Sequence, residues 1–578
     1  MTARKMTRET ISLALTGSGG AGVMTAGGLL LEAAARTGWY GLQTRSVGPQ
    51  IRGGEAAALI SLGTEPVAVH GDRFDLLIAV DWLNFERFAA EIRLDAESLV
   101  IADPEAGPVP EIIAARGARV AALPLKALAK EIPGGRVNMV ALGAASALLD
   151  VPEERIQAEI DRVLEKKGAE ALAASAAAVA AGRAAAADIG AFAGLAAPSG
   201  DAAGRWIISG NEATGLGAVR GGVRFAAAYP ITPATEVLEW LSPALVRLGG
   251  SLVQAEDELA SINMVIGASY GGTPSLTATS GPGLALMLEA IGLAATAEVP
   301  VVVIDVMRGG PSTGIPTKSE QADLNIALHG LHGDAPHVVV APNSVSDCLF
   351  TTQWAVHLAE AMQVPVIVLS DQFLGQARAV IDRPADVAFI AQRVVATEPA
   401  EDYDRYAVTA SGISPMAIPG TAGGQYTADG LEHSPRGTPS SRAEDHVEQL
   451  EKRQRKLDDF AFGVHWAEIE GAGDLAVITW GSSTGPVREA LAEAAADGIA
   501  ARLVAMRLLA PARPARLAAA LDGVDRILVV DQTHSGQFHR HLRAHYDLPG
   551  EVRSFHRPGP LTIGPAEILD AIKQWSRT

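Results

Sequence analysis

The feature that most constrains the fold is a repeated alternation of short apolar runs with helix-length amphipathic segments. Early in the chain, apolar runs at residues 11–16, 76–80, 99–102 and 120–123 are each followed by Gly, Asp or Pro. Such runs, separated by helices, are typical of parallel strands joined by crossover connections. The sequence therefore predicts an α/β protein built from parallel sheets.

The alternation continues in two later sections. From residue 205 the strand-like runs are WIISG, FAAAYP, SLVQAE, SLTATS, VPVVVIDV, HVVVAP and VPVIVLS. Together they predict a complete doubly wound sheet. From residue 473 the runs DLAVITWG, ARLVAMRLL and RILVVDQ predict a third, smaller α/β domain.

Composition shifts between these sections predict the domain boundaries. An alanine-rich helix ends a first domain over residues 1–190, and a linker covers residues 191–204. The second domain covers 205–395, an irregular insertion with a charged, solvated helix covers 396–470, and the third domain covers 471–578.

Charge and cysteine content exclude several classes of protein. The 578 residues include 47 Lys and Arg against 66 Asp and Glu, a formal net charge of −19 that disfavours nucleic acid and anionic membranes. The single cysteine, Cys348, excludes an intrachain disulfide framework and an iron–sulfur cluster held by this chain alone. With no signal-peptide pattern and no long apolar run, we expect a cytoplasmic protein.

A glycine-rich turn, GSGGAG, follows the first predicted strand and opens a helix. In such a G-x-G-x-x-G pattern, backbone N–H groups approach a phosphate at the positive end of the helix. NAD would require an acid about 20 positions on, where this chain has Arg45 and Arg52. The turn therefore predicts a phosphate-bearing, nucleotide-like ligand or only a packing contact.

The second domain carries candidate groups for binding a carboxylate. In YPITPATE, Thr232 is predicted to cap a helix with Pro233 at its first position, which leaves a hydroxyl and free N–H groups facing a crevice. Arg308 follows an apolar strand and opens the loop RGGPSTGIPTK, where a guanidinium can hold a carboxylate with two hydrogen bonds. Thr317 adds a second hydroxyl. Simple helix capping and an ordinary surface arginine are the alternatives.

Three consecutive acids, Glu256, Asp257 and Glu258, lie at a strand-to-helix junction. Such a run usually belongs to a solvated helix start. One acid turned inward would instead be suited to proton chemistry.

These spaced motifs resemble the 2-oxoacid:ferredoxin oxidoreductases, which are thiamine diphosphate enzymes. YPITPATE, the glutamate-to-Gly267 segment, TSGPG at residues 279–283 and RGGPSTGIPTK resemble the α subunit. GSGGAGVMTAGG, together with GPQIRGG at residues 48–54, resembles the γ domain, fused here at the amino terminus. GSSTGPVREA at residues 481–490 resembles a transketolase-carboxyl-terminal domain. The resemblance implies a γ-type domain, a pyrimidine-side thiamine diphosphate domain and a transketolase-C-terminal-like domain.

The resemblance implies CoA-dependent oxidative decarboxylation of a 2-oxoacid to an acyl-CoA and CO2, with reduction of two ferredoxins. Glu258 would then hydrogen-bond the aminopyrimidine ring, and Glu256 is its rival. Glu258 is preferred because its spacing to Gly267 resembles that of thiamine enzymes. Binding of the substrate carboxylate falls on Thr232, Arg308 and Thr317, and CoA is expected near Gly17, Gly19, Gly20, Gly22 and Arg52.

The resemblance also implies a partner subunit. The sequence has no Gly-Asp-Gly…Asn motif for Mg²⁺ and diphosphate and no cysteines for a [4Fe-4S] cluster. In this family both belong to a β subunit, so we expect an (αβ)2 heterotetramer, inactive without β. Because ferredoxin and this chain are both acidic, ferredoxin docking is expected mainly on β.

Alternatives remain at this stage. A stand-alone enzyme of the transketolase type would need the missing diphosphate motif. A catalytically silent assembly subunit would have no use for Thr232, Glu258 and Arg308 together. The fused arrangement most resembles the 2-oxoglutarate members, which would need a further cation for the distal carboxylate. The sequence does not show which residue that is, and Lys318 is only adjacent to Thr317, so pyruvate or a broad range of 2-oxoacids stays open.

A histidine-rich segment, HSGQFHRHLRAH, lies near the carboxyl end. Of His534, His539, His541 and His545, only the last two share a helical face, and no carboxylate accompanies them at metal-ligand spacing. The sequence therefore predicts surface or interface histidines and no metal site on this chain.

Overall fold

The computed structural model describes residues 7–47, 54–87, 89–190, 192–198, 200 and 202–576. The strands are β1 (Thr7–Arg8), β2 (Thr10–Ser18), β3 (Tyr40–Val47), β4 (Glu55–Gly63), β5 (Leu76–Ala79), β6 (Leu99–Ala102), β7 (Arg119–Ala122), β8 (Gly194–Leu195), β9 (Arg205–Ser209), β10 (Phe225–Ala228), β11 (Ser251–Gln254), β12 (Ser275–Thr279), β13 (Val301–Met307), β14 (Val338–Val340), β15 (Pro365–Asp371), β16 (Arg378–Asp382), β17 (Ala467–Gly471), β18 (Leu475–Trp480), β19 (Ala501–Met506), β20 (Leu508–Ala510), β21 (Arg526–Asp531) and β22 (Glu551–His556).

The helices are α1 (Val23–Thr37), α2 (Glu111–Ala114), α3 (Leu125–Lys130), α4 (Val137–Leu148), α5 (Glu153–Leu164), α6 (Ala169–Ala186), α7 (Gly210–Gly221), α8 (Thr235–Arg247), α9 (Glu258–Tyr270), α10 (Gly281–Thr296), α11 (Leu324–His329), α12 (Val345–Met362), α13 (Gln372–Gln376), α14 (Ala443–Asp459), α15 (Thr484–Ala496), α16 (Pro514–Ala520), α17 (Gln537–His545) and α18 (Pro565–Ser576). These elements confirm the predicted α/β class with mainly parallel sheets. They form two compact units, one from the described residues of Met1–Ile208 and Ala377–Ala385, the other from Ser209–Gln376 and Asp386–Thr578.

The smaller unit is built on an eight-stranded sheet of order β7-β6-β5-β2-β4-β3-β16-β9. The four apolar runs singled out in the sequence form its parallel part, β2, β5, β6 and β7. β4 pairs antiparallel with both β2 and β3, an arrangement that the sequence did not predict. Along β2, Leu13 and Leu15 face one apolar core and Ala14 faces another, so both sides of the sheet are covered.

The larger unit contains two sheets. Its main sheet has the order β11-β10-β12-β13-β15-β14-β20, parallel except for β20, which runs antiparallel to β14. The prediction that WIISG belongs to this sheet is wrong, because that run forms β9 in the smaller unit and the seventh place is taken by β20. The second sheet, β17-β19-β18-β21-β22, is parallel except at β17. One apolar core joins side chains beneath both sheets, including Trp354, Trp480 and Phe538.

The charged helix α14 is solvated on one face, as predicted, but its other face is buried. Its Lys452 and Lys456 are 0% and 1% exposed, and both donate to the carboxylate of Glu298, which is fully buried after α10. Two Lys452 contacts, of 2.5 and 2.7 Å, join Nζ to Oε1 and Oε2. The helix therefore buries a cationic face around one anion.

The alanine-rich helix α6 packs closely on α4. A Cβ added to Gly143 or Gly182 would overlap backbone atoms of the facing helix, so glycine at these two positions allows the close approach. Among the described helices, the one at residues 169–189 is apolar and long enough to cross a membrane by length and composition alone, and 39% of its most apolar window is buried.

Candidate active site

The candidate groups of the larger unit converge at one edge of its main sheet. In the order β11-β10-β12-β13, neighbouring strands are parallel, so their carboxyl ends share an edge. Glu258 follows β11, Thr232 follows β10, and Arg308 follows β13. The segment 279–283 follows β12. Parallel α/β sheets bind ligands at this edge.

Among the three consecutive acids, only Glu258 is turned inward. Asp257 is the N-cap of α9, and its carboxylate accepts a 2.7 Å hydrogen bond from the Ala260 N–H. Glu256 and Asp257 are exposed, whereas Glu258, the first residue of the helix, is 7% exposed. Because Asp257 caps the helix, the Glu258 side chain is left for the crevice.

Gly283 leaves the space that the Glu258 side chain occupies. A Cβ at this position would lie 2.6 Å from Glu258 Cγ and 2.7 Å from its Oε1, and it would also overlap the Thr279 hydroxyl. Glycine is therefore required here for the carboxylate to lie against the start of α10. In the structure, the TSGPG segment at residues 279–283 therefore provides the space in which the Glu258 carboxylate lies.

Arg308 and Thr232 lie together. Arg308 is half-buried, and its Nη1 donates a 2.7 Å hydrogen bond to the backbone oxygen of Thr232. The buried Arg308 Nε has no hydrogen-bond partner among the described residues. The guanidinium thus keeps donors for a ligand, and burial lowers its pKa while the charge of Asp323 opposes that shift.

The predicted capping role of Thr232 is wrong. Helix α8 begins at Thr235, with Ala234 as its N-cap, so Thr232 lies in the turn before the helix and is exposed. Pro233 and Ala234 are buried and occupy the positions that the prediction gave to the first turn. The Thr232 hydroxyl is therefore not committed to a cap.

Thr317 lies in the same loop as Arg308. The loop is closed by a 3.0 Å hydrogen bond from the Gly309 N–H to the Lys318 oxygen and one of 2.7 Å from the Ile315 N–H to the Gly309 oxygen. Thr317 is half-buried, and its φ of 46° is in the left-handed region. The loop thus holds Thr317 in a defined backbone conformation.

Two acids beneath Arg308 were missed in the sequence. Asp305 is fully buried in β13, and Asp323, just before α11, lies against Gly281, where a Cβ would be 2.6 and 2.7 Å from its two carboxyl oxygens. Burial and the neighbouring Asp323 raise the pKa of Asp305 well above its ordinary value. Burial also raises the pKa of Asp323 to about 7. A lone acid inside the apolar run VVVIDVM was the available signal for Asp305.

The glycine turn lies in the smaller unit, between β2 and α1. Gly20 and Gly22 have φ of 97° and 77°, and Gly22 is the N-cap of α1. A Cβ on Gly22 would be 2.5 Å from Asn138 Nδ2, which donates a 3.0 Å hydrogen bond to the Gly22 oxygen. Both positions thus require glycine or strongly favour it. Arg52 lies outside the described residues.

A cavity of about 1240 Å³ opens beside this turn. Its lining includes Gly20, Gly22, Thr25, Arg136 and Lys167. At the other side of the turn, the Asp81 carboxylate accepts hydrogen bonds of 3.0 and 2.9 Å from the Ser18 N–H and hydroxyl. An anion is therefore favoured on the side of the cavity rather than on the side of Asp81.

Comparison with protein families gives two matches. Residues 216–452 match the thiamine diphosphate-binding domain of pyruvate flavodoxin/ferredoxin oxidoreductases, and residues 12–185 match the pyruvate ferredoxin/flavodoxin oxidoreductase domain. The first match contains the crevice of the larger unit, and the second contains the glycine turn.

Individual proteins are similar over long stretches. The 2-oxoglutarate synthase subunit KorA of Methanothermobacter marburgensis is 35% identical over 375 residues, which cover 64% of this chain and 98% of that protein. The 2-oxoglutarate oxidoreductase subunit KorA of Mycobacterium tuberculosis is 38% identical over 59% of this chain and 53% of its own length.

A solved structure is similar over nearly the whole chain. It is a 2-oxoglutarate:ferredoxin oxidoreductase from Magnetococcus marinus with 2-oxoglutarate, coenzyme A and succinyl-CoA bound. The identity is 36% and the TM-score is 0.91, with 98% of this chain and 99% of that chain covered.

Proposed function

Because this chain belongs to the family of 2-oxoacid:ferredoxin oxidoreductase α subunits, we propose that it oxidises 2-oxoglutarate together with a β subunit. The observation that carries this proposal is the crevice in which the buried Glu258 and the partly unpaired guanidinium of Arg308 lie at one sheet edge. The relatives that carry 2-oxoglutarate in their names support the choice of substrate.

The proposed reaction converts 2-oxoglutarate, CoA and two oxidised ferredoxins into succinyl-CoA, CO2, one proton and two reduced ferredoxins. Mg²⁺ and a [4Fe-4S] cluster would belong to the β subunit, since the single cysteine, Cys348, is buried and cannot hold a cluster. The assembly would be an (αβ)2 heterotetramer in the cytoplasm.

The residues at the crevice fit the aminopyrimidine end of thiamine diphosphate. When bound, this cofactor supplies the electron sink for loss of CO2. Glu258 is nearly buried, and no described residue donates a hydrogen bond to its carboxylate, so it can take one from a ring nitrogen. Glu258 would therefore hold and return a proton at that nitrogen, in a position for which the missing side chain of Gly283 leaves room.

Arg308, Thr232 and Thr317 would hold the carboxylate next to the keto group. A guanidinium and two hydroxyls can orient this group without neutralising it fully, which leaves it free to depart as CO2. Asp323 would moderate the positive charge of Arg308, since its pKa of about 7 lets it ionise near neutral pH. These side chains would position the substrate.

CoA would bind in the smaller unit, beside the glycine turn. The N-terminus of α1 and the exposed cations Arg136 and Lys167 supply positive charge around the 1240 Å³ cavity. We expect Arg136→Gln to raise the KM for CoA severalfold and to leave the KM for 2-oxoglutarate unchanged. The exposed Arg116, outside that lining, gives the control Arg116→Gln.

The main test is reconstitution with a cysteine-rich β subunit encoded beside this chain. We expect CoA-dependent viologen reduction by the pair, no turnover by the chain alone, and a higher kcat/KM for 2-oxoglutarate than for pyruvate or branched 2-oxoacids. Turnover by the chain alone would instead indicate a stand-alone thiamine enzyme. No turnover with any partner would indicate a silent assembly subunit, and faster turnover of pyruvate would overturn the choice of substrate.

A further inference from the structure

Three histidines from separate parts of the sequence meet in the larger unit. His541 and His545 are on α17, and His329 is the last residue of α11. One imidazole nitrogen of each lies within 4.8 Å of the others. The sequence predicts only that His541 and His545 share a helical face. The fold brings His329 to them from a distant part of the chain.

His541 has the hydrogen bonding of a metal ligand. The residue is 5% exposed, and its Nε2 lies 3.0 Å from the Leu509 backbone oxygen. A carbonyl only accepts, so Nε2 carries the proton and Nδ1 carries a lone pair. That buried Nδ1 has no partner in the described part of the chain. In metal sites the ligating histidine commonly donates its other N–H to such a carbonyl.

The two helices are already joined at their other ends. Gln537 accepts a 2.9 Å hydrogen bond from the Asn325 N–H and donates one of 3.0 Å to the Ala322 oxygen. The helices thus hold the histidines near each other before any ion arrives. His329 and His545 are exposed, so an ion can enter from solvent.

We propose that His329, His541 and His545 bind one divalent transition-metal ion of the Zn²⁺ class. Nitrogens of a tetrahedral site at about 2.0–2.1 Å from the metal lie roughly 3.3 Å apart, so the two exposed rings need to close by about 1.5 Å at most. The three histidines line a cavity of about 460 Å³, from which water could take the fourth position. Imidazoles without carboxylates favour Zn²⁺, Co²⁺, Ni²⁺ or Cu²⁺ over Mg²⁺ and Ca²⁺.

The ion would stabilise α11 rather than take part in catalysis. Asp323, at the other end of α11, lies against Gly281 in the crevice. An ion that joins α11 to α17 would therefore stabilise the position of α11, the helix that begins just after Asp323. The inference does not depend on the identity of the 2-oxoacid or on turnover.

The test uses the untagged full-length chain, stripped with a chelator and titrated with Co²⁺, with Zn²⁺ as competitor. We expect one Co²⁺ per chain, the visible absorption of four-coordinate cobalt, and a Zn²⁺-dependent rise in the thermal midpoint. His329→Gln and His545→Gln should each weaken binding by more than about 100-fold, beyond the 10–100-fold typical of losing an outer-shell partner.

The control is His539→Gln, on the same helix but outside the cluster, and it should bind as the unchanged chain does. Because His329 and His545 are exposed, their replacement leaves folding intact, which circular dichroism checks. Absence of binding to the unchanged chain would overturn the proposal. Binding of Co²⁺ by the His329→Gln and His545→Gln variants as tight as that of the unchanged chain would overturn it as well.

Discussion

Glu256 and Glu258 are two positions apart, yet the fold gives them opposite surroundings. Glu256 faces solvent, and Glu258 lies against Gly283 in the crevice. The two are a matched pair for testing which acid takes part in the reaction, since the same substitution can be made in each without changing its size.

We expect Glu258→Gln to lower kcat of the reconstituted pair by about 10²–10⁴-fold, the usual contribution of a positioned proton-transfer group. Glu256→Gln should leave kcat within about twofold, because that side chain is exposed. Steady-state rates with saturating 2-oxoglutarate measure both. A larger loss of kcat in the Glu256 variant than in the Glu258 variant would show that Glu256 transfers the proton and that our assignment to Glu258 is wrong.

Single residues also show which parts of the candidate site could be predicted from the sequence and which could not. The preference for Glu258 over Glu256 agrees with the observed burial, because a helix start needs one capping acid and Asp257 supplies it. Asp323 was missed because nothing local distinguishes it from a surface acid. Its carboxyl group lies against Gly281, a contact between loops after different strands that no local pattern contains.

Asp323 gives a pH dependence that can be measured. Burial raises its pKa to about 7, so the group is neutral below pH 7 and ionised above it. The anion competes with the substrate carboxylate for Arg308. We therefore expect the KM for 2-oxoglutarate to increase as pH rises through 7, by at most about tenfold per pH unit for one titrating group.

The control for this pH dependence is Asp323→Asn, which keeps the shape and removes the charge. Its KM should stay low and nearly flat between pH 6 and about 8. The KM for CoA in the same assays reports on general pH effects. An unchanged pH profile in the variant would exclude Asp323 as the titrating group.

At the scale of the element, α14 shows how a charged helix can bury one of its faces. Its sequence, AEDHVEQLEKRQRKLDD, has the composition of a solvated helix. The partner of its lysines is Glu298, which follows α10 far earlier in the chain. Arg405 is also buried there, and its Nη2 donates a 2.9 Å hydrogen bond to the Glu298 backbone oxygen.

We expect Glu298→Gln to destabilise the larger unit by about 3–5 kcal/mol, because two lysines would be left buried without their anion. The neighbouring cations hold the pKa of Glu298 below its ordinary value against the effect of burial. Its contribution is therefore present above the unfolded pKa of 4.5 and is lost as pH falls below it. Urea unfolding midpoints at pH 7 and in acid measure the effect.

The matched control is Glu289→Gln, an exposed acid on α10, which should change stability by no more than about 0.5 kcal/mol. The difference in free energy of unfolding between the Glu298 variant and the unchanged chain should become smaller below pH 4.5. If this difference does not change with pH, Glu298 is not ionised in the folded protein.

Strands illustrate a different limit of prediction. The apolar run at the start of the second section was recognised as a strand, but periodicity does not state which sheet a strand joins. β9 joins the first sheet, and ARLVAMRLL divides at Arg507 into β19 and β20, which belong to different sheets. Arg507 is held there by Asp347, with Nη2 2.9 Å from Oδ1, a contact between distant segments.

At the scale of the whole molecule, the order of motifs carried most of the information. Parallel sheets, the position of the crevice and the family all follow from local patterns and their order. The histidine cluster does not, because its members come from α11 and α17. Long-range pairs of this kind are set by packing, which one sequence does not display.

The net charge of −19 bears on where ferredoxin, the proposed electron acceptor, would bind. An acidic electron carrier is repelled by an acidic surface, and the repulsion weakens with salt because the Debye length falls from about 30 Å at 0.01 M to about 10 Å at 0.1 M. We therefore expect the isolated chain to bind no acidic ferredoxin at low salt, and the pair with β to bind it. Calorimetric titration of each with oxidised ferredoxin, at both salt concentrations, measures this. Binding by the chain alone, with an affinity that salt leaves unchanged, would place the docking surface on this subunit.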